Sequence, residues 1–86
     1  VRAYNALGMH AAAIGNHEFD FGPVGPDTVP RRAADNPTGN LEARARQARF
    51  PLLAANLRHR DGRAWTPPNI RPSTVVTLAG LRIGLI

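Results

Sequence analysis

The chain has 86 residues, of which 43% are hydrophobic, 20% are charged and none is cysteine. That length admits one small domain or part of a larger one, and the composition excludes a wholly disordered chain. Disulfide frameworks, thiolate metal sites and thiol nucleophiles are excluded outright, and no run of about 20 apolar residues is present to cross a bilayer.

Residues 1–9 suit the closing turns of a helix, with Gly8 where a left-handed conformation costs glycine little. Residues 11–15 form a short apolar run bounded by glycine, which fits a buried strand, although its alanines are equally compatible with a helix. A polar loop follows over 15–22. The connection 23–39 is rich in proline and glycine, with room for a short helix around 29–34. Asn40 is placed to N-cap a helix over 41–49, with Glu42 in its first turn and Arg49 at its end to suit the macrodipole. Residues 51–56 read as a second buried strand, opened by Pro51 and closed by Asn56. Residues 57–72 form a polar loop around the turn dipeptide Asp61-Gly62. A β-hairpin spans 73–86, its two apolar runs joined through Ala79-Gly80 in a primed turn. This succession reads as an α/β fold. Because Val1 opens directly on a helical pattern and the last apolar strand has no turn after it, the expectation is an internal fragment of a longer protein, with no complete domain over 1–86.

The chemistry concentrates in Gly15-Asn16-His17-Glu18-Phe19-Asp20. A polar loop at the carboxyl end of a buried strand is where open α/β sheets hold ligands. Asn16 offers a neutral amide oxygen. His17 offers an imidazole that can bind metal, donate to a phosphate oxygen or move a proton. Asp20 follows three residues later, so a helical turn brings the two side chains together and the carboxylate fixes the imidazole tautomer. Glu18 points elsewhere in that geometry and is assigned a supporting role. Phe19 and Phe21 are assigned to the core.

At this point the sequence resembles the calcineurin-like metallophosphoesterases, and within them the 5′-nucleotidase branch. The resemblance rests on three islands in order. They are the helix ending Asn5-Ala6-Leu7-Gly8 with the strand Ala11–Ile14 and the loop Gly15–Asp20, the segment Phe50–Leu57, and the hairpin Thr77–Ile86. It implies a four-layer α-β-β-α metallophosphatase sandwich, two divalent metal ions (Zn, Mn, Mg or Fe), and a nucleotide or other phosphomonoester as substrate. It further implies that Asn16 is a ligand of the second metal and contacts substrate. His17 would donate to the phosphoryl oxygen, and Asp20 would hold His17 in orientation. A hydroxide held by paired metals would attack phosphorus in line. The family's remaining ligands find no counterpart between Val1 and Ile86, so the fragment alone is expected to be inactive. Members are often periplasmic, secreted or surface-anchored. Asp20 favours nucleoside 5′-phosphates over 2′,3′-cyclic nucleotides.

A different class remains in view. All eleven basic residues are arginine, against six acidic ones, for a net charge of +5. An Arg-rich nucleic-acid-binding module would give that balance and would bind with steep salt dependence. Against it, the arginines are scattered and little aromatic surface is interleaved with them. His10 and His59 match no ligand position. Seven extended residues, about 23 Å, separate His10 from His17.

Overall fold

The computed structural model describes all 86 residues, Val1–Ile86. Helix α1, Arg2–Ala6, ends through Leu7 into Gly8, whose φ is +70°. The Gly8 amide returns to the Asn5 carbonyl at 3.3 Å and the Met9 amide to the Tyr4 carbonyl at 3.2 Å. This pair of bonds satisfies carbonyls that the helix end leaves free, and it needs the left-handed glycine.

Three short strands then build a parallel sheet in the order β1-β2-β3. They are β1 (Ala12–Ala13), β2 (Leu52–Leu53) and β3 (Ile70–Arg71). Ala12 pairs with Leu52 and Leu52 with Ile70. The strands are shorter than the runs 11–15 and 51–56, and β3 lies inside the segment expected to be loop. Its signal was hidden because Pro67, Pro68 and Pro72 crowd around it, and proline usually marks loop.

Helix α2, Gly39–Gln47, carries the crossover from β1 to β2. It begins two residues earlier than the sequence suggests, with Thr38 as the N-cap residue. Asn40 is therefore inside the first turn, and its side chain does other work. Its Nδ2 donates to the carbonyls of Phe21 (2.8 Å) and Pro23 (2.6 Å), and its amide donates to Gly22 at 3.0 Å. Asn40 thus ties the two ends of the Pro/Gly connection together. No helix forms around 29–34; Asp35 instead accepts the amides of Arg31 and Arg32, both at 3.0 Å.

The carboxyl end of α2 has no glycine, and two distant asparagines close it. Asn69, at φ +64°, donates Nδ2 to the carbonyls of Ala45 (2.8 Å), Ala48 (3.1 Å) and Phe50 (2.9 Å). Asn5 donates to the Gln47 carbonyl at 2.9 Å and accepts the Arg49 amide at 2.8 Å. The core sits where α2 covers the sheet: Leu41, Ala45, Ala54 and Ile70 form one buried cluster, with Leu52, Leu57 and Trp65 packed against it.

The antiparallel pair β4 (Thr74–Leu78) and β5 (Leu81–Leu85) forms a separate two-stranded sheet. Its turn residues Ala79 and Gly80 both have positive φ, the requirement of a primed turn. Val75, Leu81 and Ile83 on it are exposed. Extents of 49 × 32 × 18 Å and a radius of gyration of 14.3 Å, against about 12 Å for a compact chain of this length, describe an elongated shape. The architecture is a small mixed α/β arrangement with few helices and short sheets.

Candidate functional site

The amide of Ile14 donates to the Leu53 carbonyl at 2.9 Å. Past that bond β1 has no further partner, and the chain turns off the carboxyl edge of the sheet through Gly15 and Asn16. A single 3₁₀ turn, His17–Phe19, follows, with the Phe19 amide on the Asn16 carbonyl (3.2 Å) and the Asp20 amide on the His17 carbonyl (3.1 Å). Glu18 reaches back and accepts the Gly15 amide at 2.8 Å. That bond fixes the entry to the turn and gives Glu18 a local structural task.

Three residues per turn bring side chains at i and i+3 into register. His17 and Asp20 meet in this way, with Nδ1 2.7 Å from Oδ2. A carboxylate only accepts, so Nδ1 carries the hydrogen and Nε2 is left facing outward. Both side chains are exposed, 83% for His17 and 61% for Asp20. The hydrogen bond to Asp20, followed by the charge of Asp20, raises the His17 pKa above its ordinary value. The Asn16 side chain is exposed and makes no hydrogen bond to protein, so its amide oxygen is free for a ligand. Asn16, His17 and Asp20 therefore share one outward-facing turn.

Phe19 turns the other way. Its ring packs on Trp65, with centroids 6.2 Å apart and planes at 44°, beside the buried cluster. Phe21 does not join it: with 64% of its surface exposed, it is corrected from core to surface. The chain leaves the 3₁₀ turn between the two phenylalanines, so their spacing of two puts them in different environments. Asn56 lies in the turn just past β2, exposed and with no side-chain hydrogen bond. Trp65 and Leu57 are the residues that sequence reasoning passed over. They brace the base of a small loop, where the Trp65 amide donates to the Leu57 carbonyl at 3.1 Å. The signal was available: an Asp-Gly turn flanked at similar distances by two large apolar residues.

No three His, Asp or Glu side chains converge anywhere in the chain. The donors of these 86 residues do not by themselves fit a closed metal site. His10 lies at the opposite end of β1 from His17 and cannot complete one. A cleft of about 500 Å³ runs along β1 between Tyr4, Ile14, Phe21 and Leu41. Its lining is chiefly apolar and includes Glu18 and Phe21 but none of Asn16, His17 and Asp20, so the cleft adjoins the polar turn without containing its outward-facing side chains.

The sequence is 31% identical over 87 aligned residues to a snake venom 5′-nucleotidase of Gloydius brevicauda, covering all of this chain and 12% of the relative. It is 31% identical to a 5′-nucleotidase of Mus musculus, covering 95% of this chain and 12% of the relative. A 5′-nucleotidase of Diplobatis ommata is 34% identical, with 94% and 12% covered. The resemblance is to 5′-nucleotidases. It runs through the whole chain, which spans about 12% of the length of the curated relatives it matches. No family model matches the sequence, and no solved structure does. No helix is long and apolar enough to cross a membrane.

Proposed function

We propose that these residues are part of the catalytic domain of a metal-dependent phosphohydrolase that removes phosphate from nucleoside 5′-phosphates. One arrangement carries the reading. An Asn-His turn leaves the carboxyl edge of a parallel strand with Asp20 on Nδ1 of His17 and with Nε2 free. It lies in a chain similar from end to end to 5′-nucleotidases.

In this reading the Nε2–H of His17 donates to a phosphoryl oxygen and meets the charge that develops as the ester bond breaks. Asp20 accepts the Nδ1 hydrogen, fixes the orientation of the ring and keeps it basic enough to hold a second hydrogen on Nε2, the one that is donated. Asn16 borders the same phosphate and offers its amide oxygen to one of two divalent metals, with Zn, Mn, Mg and Fe all suited to such donors. The other ligands belong to residues outside these 86, and the enclosing fold is the four-layer metallophosphatase sandwich. Bound metals of this kind neutralise phosphoryl charge and make water a better nucleophile. The segment alone then has no phosphatase activity, and the full-length protein acts in the periplasm, outside the cell or at its surface.

The test is phosphate release by the full-length protein after treatment with EDTA. Restoration of AMP hydrolysis by Mn²⁺ or Zn²⁺ is the expected result. Preferential turnover of 2′,3′-cyclic AMP would move the substrate assignment within the family. Tight, salt-steep binding of DNA or RNA with no hydrolysis of either ester would replace the hydrolase reading with a nucleic-acid-binding one.

A further inference from the structure

The loop 57–65 is built like a small hairpin. Arg58 bridges to Ala64, the His59 amide donates to the Arg63 carbonyl at 2.8 Å, and the Gly62 amide donates to the His59 carbonyl at 2.9 Å. It carries three arginines against one aspartate. Two of those arginines are occupied within the loop: Arg58 donates Nη1 to the Gly62 carbonyl at 3.2 Å, and Arg63 donates Nε to Asp61 at 2.8 Å. Arg60, at the tip, makes no hydrogen bond or ion pair and is exposed.

The position of this loop is constrained at its base. It departs from the carboxyl end of β2, the parallel neighbour of β1, so it leaves the same sheet edge as the Asn16-His17 turn. Its closing residue Trp65 packs on Phe19, two residues from His17. About three extended residues, near 10 Å, separate Leu57 at the base from Arg60, so Arg60 rises from the same sheet edge that carries His17. Of the neighbouring carboxylates, Asp61 is paired with Arg63 and Asp20 with His17, while Glu18 accepts the Gly15 amide and keeps its charge.

We propose that the loop 57–65, through Arg60, is a second anion-binding element that selects substrates with a phosphate group beyond the one hydrolysed. This rests on the phosphohydrolase reading. Arg58 and Arg63 brace the loop, and the free Arg60 guanidinium can take a phosphate bidentately.

The experiment compares adenosine 5′-monophosphate with adenosine 3′,5′-bisphosphate on the full-length protein. Equilibrium binding is read by calorimetry in a His17→Ala background that suppresses turnover. KM and kcat are read with His17 intact. The bisphosphate is expected to bind tighter, and Arg60→Ala to weaken it about three- to tenfold. The 5′-monophosphate and kcat should stay unchanged, and Arg60→Lys should restore part of the loss. Equal affinity of the two nucleotides, or an equal effect of Arg60→Ala on both, would overturn the proposal. So would a loss confined to a 5′-phosphorylated oligonucleotide, which would make the loop a nucleic-acid contact. Because binding is measured without turnover, the proposal is decided even if neither nucleotide is hydrolysed, an outcome that would count separately against the phosphohydrolase reading.

Discussion

Replacing Asn69 by alanine tests how the end of α2 is held. The Asn69 amide supplies two hydrogens to three carbonyls, those of Ala45, Ala48 and Phe50. At most two full bonds are lost, at about 0.5–1.5 kcal/mol each. Alanine must also adopt φ +64°, which costs about 1 kcal/mol more than for asparagine. Asn69→Ala should therefore destabilise the protein by about 2–4 kcal/mol. Asn69→Gly loses the same bonds without the backbone penalty and should be milder by about 1 kcal/mol, less what glycine adds to the unfolded chain's freedom. Asn69→Asp places a carboxylate oxygen against these three carbonyl oxygens and should be at least as costly as alanine. Urea unfolding of the full-length protein at constant m gives these differences from the shift in midpoint. An Asn69→Ala protein within 0.5 kcal/mol of the parent, or a glycine variant worse than alanine, would refute the reasoning.

Three further outcomes follow from the structure. Asp20→Asn removes the carboxylate from His17 Nδ1 and should lower AMP turnover about 10- to 100-fold, with an unchanged circular dichroism spectrum; turnover within twofold of the parent would show that His17 needs no such partner. Gly22 has φ +58°, and a Cβ there would meet the Thr28 carbonyl, so Gly22→Ala should cost about 3 kcal/mol or more and open the connection 23–38 to proteolysis. Glu42 accepts from Asn36 at 3.0 Å and Thr38 at 2.8 Å, and these bonds, Asn36 first, lower its pKa. A carboxylate whose folded pKa is depressed contributes stability above its unfolded value and loses it as pH falls through the folded one. The stability gap between the parent and Glu42→Gln should therefore be present at pH 7 and shrink below about pH 4; a gap independent of pH would contradict it.

What the sequence made legible was local. Gly8 after an alanine-rich helix, the Ala79-Gly80 turn and the offset of three between His17 and Asp20 each depend on a few neighbouring residues, and each has the expected geometry. What it concealed depends on distance. Asn40 looked like an N-cap because its type suits that role, yet its amide is spent on Phe21 and Pro23, seventeen and more residues away. Asn69 gave no sign of closing α2, because the carbonyls it serves lie 19 to 24 residues earlier. Strand β3 was masked by flanking prolines and is defined by its pairing with β2. In the site, the turn itself could be read from residue types, whereas the Trp65 support under Phe19 required the fold.

The central claim is that His17 acts on the phosphoryl group of a nucleotide. Its most direct test is AMP hydrolysis by the full-length protein and by His17→Ala, each with Mn²⁺ or Zn²⁺ and each checked for an intact fold by circular dichroism. The account predicts metal-dependent phosphate release by the parent and a fall of at least about 100-fold in the variant. Equal turnover by the two proteins would contradict it.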